Sequence, residues 1–147
     1  MPPTFVDNVL HCVFSTAERQ PFIKKALQPR LWSYMAGIAK QHEIKPLLIG
    51  GFDDHCHALI ALPTRICVAD AMRWIKTGSS KWFREAHASD FRWQEGFGAF
   101  GVSVSQRAKV LDYIRRQPEH HAKTDFKTEY IALLKKHGIA YEEKYLW

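Results

Sequence analysis

Hydrophobic and polar positions along the chain follow two periods, and these predict the order of its strands and helices. Apolar residues at helical spacing predict helices over 29–42 and 68–85. Short apolar segments between polar or glycine residues predict strands over 9–15, 44–52, 52–62 and, in a bent aromatic form, 91–104. The order strand, helix, strand, strand, helix, strand is typical of an α+β, ferredoxin-like (RRM-like) antiparallel sheet with two helices on one face.

The segment that follows the last predicted strand has a helical pattern. Ser105 can cap a helix over 106–117, and Pro118 is expected to end or kink it. A last helix is predicted from Asp125 along an apolar stripe that reaches Leu134. The tail over 139–147 ends in apolar and aromatic residues, so we expect it to dock on the protein's own body or on a partner subunit.

Length and composition limit the possible classes of protein. The 147 residues predict a single domain, 1–147, and 46% hydrophobic with 24% charged residues is a globular composition. No apolar run approaches the ~20 residues that cross a bilayer, and no secretory signal is visible, so no membrane contact is expected. Three cysteines without metal-type spacing predict free buried thiols in a reducing, cytoplasmic compartment. The net charge of +6 favours a nucleic-acid partner only weakly.

The predicted strand over 52–62 carries two histidines on one face. His55 and His57 point the same way because strand side chains alternate, whereas Cys56 lies on an apolar face typical of a core. We expect the two helices to cover the apolar face and leave the histidines on the open one. Two neighbouring imidazoles can hold one divalent metal ion. The alternative is that they bind no metal and are simply one surface histidine and one core histidine. His11, on the first strand, is interpreted as a surface or packing histidine.

The middle of the second predicted helix is small and polar. The segment 76–81 includes Gly78, which costs a helix roughly 1 kcal/mol, so a neighbouring group is expected to approach closely there. Two explanations stay open: close packing against the sheet, or phosphate contact by serine and lysine side chains. The candidates for contact with a DNA backbone are Arg73, Lys76, Ser79, Ser80 and Lys81.

A second group of polar residues lies on the helix after the sheet. Tyr113 and Gln117 are four residues apart and therefore share a helix face. Gln117 could supply a neutral oxygen ligand to a metal, and Tyr113 could present a phenolic oxygen to an electrophile held by that metal. The alternative is that Tyr113 is an amphipathic boundary residue and that Gln117 is merely solvated.

Taken together in this order, four segments resemble the single-tyrosine HUH transposases. They are Asp-His-Cys-His at 54–57, Lys-Thr-Gly-Ser-Ser-Lys at 76–81, Trp-Gln-Glu-Gly-Phe-Gly-Ala-Phe at 93–100, and Tyr-Ile-x-x-Gln-x-Glu-His-His at 113–121. This family comprises the small transposases of insertion sequences that move as single-stranded DNA (the insertion sequence 200/605 type) and their REP-associated relatives. The resemblance extends from about Val9 to Trp147.

The resemblance implies an enzyme that cuts and rejoins single-stranded DNA beside hairpin ends during DNA transposition. Tyr113 would be the catalytic nucleophile and would form a 5′-phosphotyrosine intermediate, while His55, His57 and Gln117 would bind Mg²⁺ or Mn²⁺. A metal suits this chemistry because an unperturbed tyrosine, with a pKa near 10, is a poor nucleophile at neutral pH. Family members of the insertion-sequence type are commonly homodimers, so we expect a homodimer.

Other functions remain compatible with the residues. A ferredoxin-like sheet with aromatic residues also builds non-catalytic single-stranded nucleic-acid-binding proteins. A hydrolase that uses metal-bound water and a domesticated REP-associated transposase are further alternatives. No general base is identified; the neighbouring candidates are Asp53, Asp54, Glu119, His120 and His121.

Overall fold

Four antiparallel strands form one sheet in the order β2-β3-β1-β4. The computed structural model describes residues 3–87 and 89–146. The strands are Val9–Ser15 (β1), Lys45–Gly51 (β2), His55–Ala61 (β3) and Gly98–Gly101 (β4). One helix connects β1 to β2 and another connects β3 to β4. This order confirms the predicted α+β, ferredoxin-like fold.

Helices cover both faces of the sheet. The first face carries α1 (Gln28–Gln41) and α2 (Val68–His87), which enclose the larger core with strand residues such as Cys56 and Ile60. The second face carries α3 (Arg107–Arg115), α4 (Gln117–His120) and α5 (Phe126–Lys136). Short 3-10 turns lie at Ala17–Arg19, Lys25–Leu27, Val104–Gln106 and Glu143–Tyr145. None of the helices described is both long and apolar enough to cross a membrane.

The last strand is much shorter than its sequence pattern predicts. The prediction of a strand over 91–104 is wrong in length, because the continuous ladder with β1 covers Gly98–Gly101 and Trp93 forms just an isolated antiparallel bridge with Thr16. Phe91 and Trp93 are buried instead in the core under α2, where the ring of Phe91 lies 4.4 Å from that of Phe83. The aromatic character of the segment therefore reflects tertiary packing.

The small residues in the middle of α2 serve contacts inside the protein. A Cβ atom added to Gly78 would lie 2.8 Å from Cδ1 of Ile38, so glycine allows α2 to approach α1 closely. Ser79 is fully buried, and its hydroxyl accepts a hydrogen bond from Nε1 of Trp93 at 2.9 Å. Close packing therefore explains Gly78 and Ser79. The prediction named the sheet as the packing partner, whereas Gly78 packs against α1.

A tight connection positions the histidine strand. Gly51 is opposite Cys56 in the antiparallel β2–β3 pair, which confirms that these strands are neighbours. A Cβ atom added to Gly51 would lie 2.2 Å from the carbonyl oxygen of His55, so only glycine fits there. Pro46 is tolerated in β2 because this strand is at the edge of the sheet.

The C-terminal tail docks on the protein's own body. Leu146 is buried in a cluster with Val13 and Phe100 on the second face of the sheet. Its carbonyl oxygen accepts a hydrogen bond from Nε2 of Gln94 at 2.9 Å, and Oε1 of Gln94 accepts one from the backbone N–H of Ser15 at 2.7 Å. Of the two alternatives for the tail, the structure therefore shows the intramolecular one.

Candidate active site

Two buried histidines project from β3 onto the sheet face that α3, α4 and α5 cover. The side chains of His55 and His57 are both fully enclosed. Nδ1 of His55 lies 2.8 Å from Oδ1 of Asp54, and Nδ1 of His57 lies 2.7 Å from Nε2 of His11. These contacts fix both rings, so their Nε2 atoms face the same space. His11 is therefore not a surface histidine; it is buried and hydrogen-bonded to one of the pair.

Tyr113 and Gln117 reach the same space from the covering helices. α3 and α4 meet at a break just before Gln117, and Pro118 lies in the first turn of α4, which confirms the predicted interruption. Oε1 of Gln117 lies 2.9 Å from Nε2 of His55, and the ring of Tyr113 lies 5.6 Å from that of His57. One chain therefore brings together the predicted nucleophile and the three predicted metal ligands.

A buried carboxylate from α5 lies at the centre of this group. Oε1 of Glu129 accepts hydrogen bonds from Nε2 of His57 at 3.0 Å and is 3.2 Å from Nε2 of His121. Oε2 accepts hydrogen bonds from the Tyr113 hydroxyl and from Nε2 of Gln117, the latter at 3.1 Å. One oxygen of Glu129 thus faces the imidazoles, and the other faces the phenol and the amide.

Glu129 was missed by the sequence reasoning, although the sequence contains a signal for it. On α5 the buried residues are Phe126, Glu129, Tyr130 and Leu134, so the acid belongs to an otherwise apolar stripe. A carboxylate is rarely fully buried unless it is paired. An acid at a core position of an amphipathic helix therefore indicates hydrogen-bond donors on the surface that the helix covers.

The five residues left open as proton acceptors take different places. As described above, Asp54 contacts Nδ1 of His55. His121 contacts Glu129. Nε2 of His120 is 3.3 Å from Oε2 of Glu129 but is not aligned for a hydrogen bond. Glu119 is exposed beyond this group. Burial and the nearby charge of Asp54 raise the pKa of Asp53, which does not contact the site's other residues in any hydrogen bond of the described chain.

Burial and hydrogen bonding set the charges of the site. Burial lowers the pKa of His57 to about 4, although the hydrogen bond to Glu129 opposes this shift. Burial also acts to raise the pKa of Glu129, but hydrogen bonds from His121 and His57 outweigh it and hold this pKa well below its usual range. Burial and the Glu129 charge raise the pKa of Tyr113 well above its usual value. At neutral pH the site therefore contains a neutral His57, an ionised Glu129 and a protonated Tyr113.

The donor set fits one divalent cation. Ligand atoms of His55, His57, His121 and Glu129 all lie within 4.8 Å of one another. Neighbouring ligands of an octahedral Mg²⁺ are about 3.0 Å apart, because each lies about 2.1 Å from the ion, and Oε1 of Gln117 is 2.9 Å from Nε2 of His55. When Nδ1–H of His55 donates to Asp54, the Nε2 of a neutral ring carries a lone pair. A lone pair that faces the Gln117 oxygen requires a cation or a proton between the two atoms.

Sequence comparison assigns a family to most of the chain. The family model described as IS200-like transposase matches residues 4–117. The chain belongs to this family. Among curated proteins, no sequence is significantly similar to it.

Two solved structures resemble this IS200-like transposase in fold. A Deinococcus radiodurans protein assigned as a transposase has a TM-score of 0.64 and 18% identity, over 80% of this chain and 96% of that one. A REP-associated tyrosine transposase bound to a REP hairpin has a TM-score of 0.62 and 16% identity, over 84% of this chain and 74% of that one. At these identities the likeness establishes a shared fold.

The five basic and serine candidates of this transposase lie on α2, on the sheet face opposite the histidines. Arg73 and Lys81 are exposed, and Arg73 pairs with Asp70 at 3.0 Å. Nζ of Lys76 donates to the carbonyl oxygens of Glu95 and Gly96, at 3.2 and 2.8 Å, and burial lowers its pKa to about 8. The buried Ser79 and the half-buried Ser80 both donate to backbone carbonyls of α2. The structure therefore does not bring these residues to the tyrosine site.

Proposed function

We propose that this IS200-like transposase cleaves and rejoins single-stranded DNA during DNA transposition, through a covalent 5′-phosphotyrosine intermediate at Tyr113. The observation that carries the proposal is the hydrogen bond from the Tyr113 hydroxyl to the buried Glu129, beside the imidazoles of His55 and His57. A solvated boundary tyrosine would have no reason to place its hydroxyl against an enclosed carboxylate.

In the proposed reaction, Oη of Tyr113 attacks the phosphorus of a phosphodiester. The new bond joins this oxygen to the phosphorus, and the bond to the 3′ oxygen of the preceding nucleotide breaks. Glu129 accepts the phenolic proton, for which its Oε2 is already hydrogen-bonded. The leaving 3′ oxygen takes up a proton from solvent water and becomes a free 3′-hydroxyl, and Glu129 keeps the phenolic proton until rejoining returns it to Tyr113. Rejoining is the reverse attack by a 3′-hydroxyl on the phosphotyrosine, so no nucleotide cofactor is consumed.

His55, His57 and Gln117 would hold a Mg²⁺ or Mn²⁺ ion, with His121 and Oε1 of Glu129 within reach as further ligands. When bound, such an ion supplies neutralisation of the negative charge that develops on the phosphate oxygens. The protein's part is to orient His55 through Asp54, to shield the two histidines and Gln117 by burial, and to hold the phenolic proton at Glu129.

The test is a suicide-substrate assay with labelled single-stranded hairpin DNA from the flanks of this gene. Wild type, Tyr113→Phe and the matched control Tyr145→Phe, at a residue that is 72% exposed, are incubated with Mg²⁺, Mn²⁺ or EDTA. Denaturing gels then separate covalent protein–DNA adducts from free strands. We expect a metal-dependent adduct in wild type and in Tyr145→Phe and none in Tyr113→Phe.

Other outcomes would support the alternatives. Cleavage that survives in Tyr113→Phe without an adduct indicates hydrolysis by metal-bound water. Binding without cleavage under any metal condition indicates a non-catalytic single-stranded nucleic-acid-binding protein. In either case the tyrosine mechanism proposed here is wrong.

Contact between the DNA backbone and α2 is a separate part of the proposal. Arg73 and Lys81 are the exposed candidates and Ser80 is half-buried, whereas Ser79 is fully buried and Nζ of Lys76 already donates to two backbone carbonyls. Substitution of Arg73, Lys81 and Ser80 should weaken binding to many DNA sequences alike and flatten the salt dependence. If the affinity for only one DNA sequence falls, this backbone assignment is wrong.

We also propose that the protein acts as a homodimer on DNA with hairpin ends. The neighbour bound to a REP hairpin supports the DNA part, and the dimer follows from the resemblance to transposases of the insertion-sequence type. Light scattering after size-exclusion chromatography should give twice the 17.0 kDa mass of one chain. A monomer at all concentrations would contradict the dimer without affecting the chemistry, because Tyr113 lies at the histidines of its own chain.

A further inference from the structure

A cavity opens beside Tyr113, between β4, α3 and α5. Its volume is about 680 Å³, within the range of roughly 300–1,000 Å³ that is usual for ligand-binding sites. Its lining includes Tyr113 and the buried residues His11 and Glu129. The walls are mainly apolar and include Phe100, Val102, Val110, Ala132 and Leu133.

A second, more polar depression lies on the other side of the same tyrosine. It has a volume of about 440 Å³, and its lining includes the cations Lys109, Arg116 and Lys123 and the carboxylates Asp112 and Glu119. Arg116 pairs with Asp112 at 3.2 Å, so Lys109 and Lys123 are the cations available to a phosphate. Lys109, Tyr113 and His120 line both spaces, so the two depressions meet at the phenol. Lys136 adds another exposed cation at the rim of the apolar cavity.

One side chain at these spaces has a ring nitrogen without a hydrogen-bond partner, and another presents an exposed aromatic ring. Nε2 of His120 is enclosed but has no hydrogen-bond partner among residues 3–87 and 89–146. His137 is exposed on the cavity wall, where its ring stacks on that of Phe100 with centroids 4.5 Å apart. An aromatic ring face and an apolar wall can receive a nucleobase, and an unpaired imidazole nitrogen can receive a phosphate oxygen or a base edge.

We propose that the apolar cavity binds the base of one nucleotide that flanks the phosphate attacked by Tyr113. The neighbouring phosphate then lies over the second depression, where Lys109 and Lys123 complement its charge. The ligand is therefore an unpaired nucleotide of the single-stranded substrate, held beside the reacting bond. This inference rests on the proposed function, since it assumes that Tyr113 attacks a phosphate of the bound single-stranded DNA.

The first test changes the DNA and leaves the protein intact. In the hairpin substrate described above, a tetrahydrofuran abasic unit replaces, one at a time, the two nucleotides that flank the cleavage position and two distant unpaired nucleotides. Loss of the base at one flanking position should lower the cleavage rate at subsaturating DNA about tenfold or more, because a bound base contributes substantially to affinity. The distant replacements should change it less than twofold.

The second test fills the cavity. Val110→Trp and Leu133→Trp place a large ring in the apolar wall, whereas Val104→Trp is the control, at a site that is 68% exposed and outside the cavity lining. Each filling variant should lose about as much activity on normal DNA as wild type loses on the abasic substrate. On the abasic substrate the filling variants and wild type should be equal, because the base that the new ring excludes is already absent.

A third measurement does not depend on cleavage. With 2-aminopurine placed in turn at each unpaired nucleotide beside the hairpin, binding to Tyr113→Phe should change the probe's fluorescence at one position, and Leu133→Trp on the Tyr113→Phe background should abolish this change. The inference is overturned if wild type forms the covalent adduct but neither flanking abasic unit has an effect above twofold. If no adduct forms, the proposed function fails, and the 2-aminopurine signal alone decides: a change that Leu133→Trp abolishes supports the base site, and any other result overturns it.

Discussion

Replacement of Glu129 by glutamine tests whether the buried carboxylate organises the second face of the sheet. The substitution keeps the shape of the side chain and removes its charge. The carboxylate of Glu129 accepts hydrogen bonds from His57, Tyr113 and Gln117 and also contacts His121. An amide has one oxygen acceptor, so its NH₂ group must face one pair of these donors.

The expected loss of stability follows from this mismatch. If the amide oxygen faces His57 and His121, the NH₂ group faces Tyr113 and Gln117. The phenol can rotate and accept, but the N–H of Gln117 then loses its acceptor, which costs about 1–3 kcal/mol in a buried site. The hydrogen bonds that remain are also weaker, because their acceptor is no longer a charged carboxylate. We expect a net loss of about 2–3 kcal/mol, or about 5–10 °C in melting temperature.

Urea unfolding in EDTA at pH 7, followed by tryptophan fluorescence, measures this loss. Glu119→Gln is the matched control, because it removes the same charge from an exposed neighbouring position and should change stability by less than about 0.5 kcal/mol. A loss below about 0.5 kcal/mol for Glu129→Gln, or a gain, would refute the reasoning. The desolvation of the carboxylate would then cancel its hydrogen bonds.

Three further predictions concern other parts of the site. Because the folded-state pKa of His57 is about 4, the unfolded chain binds its proton first as the pH falls. Stability should therefore decline between about pH 6.5 and 4, by up to about 3 kcal/mol from this residue, and His57→Gln should flatten the decline in urea titrations. Gly51→Ala should destabilise the protein by about 3 kcal/mol, since the new methyl group meets a backbone oxygen. Asp54→Ala should weaken Mn²⁺ binding 10- to 100-fold in calorimetry, roughly the effect of losing a carboxylate that orients a ligand histidine.

Each of these has its own control. A pH profile of stability that keeps its slope in His57→Gln would assign the acid sensitivity to other groups. Gly101→Ala, where an added Cβ meets nothing within 4 Å, should be near neutral, and equal effects at Gly51 and Gly101 would refute the steric argument. Asp70→Ala removes a surface carboxylate on α2, and the Asp54 prediction fails if both variants bind Mn²⁺ alike.

The parts of the fold that could be predicted from the sequence are those encoded by local patterns. The strands around His55 and the two helices of the first face have clear periodicity, and a short glycine-containing link makes β2 and β3 neighbours. The strand predicted over 91–104 is too long because Phe91 and Trp93 are buried in the core under α2, through contacts that are remote in sequence. Aromatic content alone does not distinguish a residue that belongs to a strand from a residue that packs under a helix remote in sequence.

Sequence motifs predict those candidate site residues that lie within one strand or one helical segment. They do not predict a residue that only tertiary packing brings to the site. Spacing places His55 and His57 on one strand face and Tyr113 and Gln117 on one helix face, and the resemblance to the single-tyrosine HUH transposases is what implies that the two pairs form one site. Glu129 enters from a separate helix, whose rotation over the sheet cannot be read from its own pattern. An isolated acid in the stripe of α5 indicates a buried partner but not which one.

If the proposed cation binds at Nε2 of His57, the contact between His11 and His57 would give the first strand a part in cation binding. Without a cation, Nε2–H of His57 donates to Glu129, so Nδ1 of His57 accepts from Nε2–H of His11. A cation at Nε2 of His57 needs the lone pair there, which moves the proton of that ring to Nδ1. Nε2 of His11 must then accept instead of donate. The two buried rings therefore change tautomer together, and a residue at position 11 that can only donate or only accept would favour one of the two states.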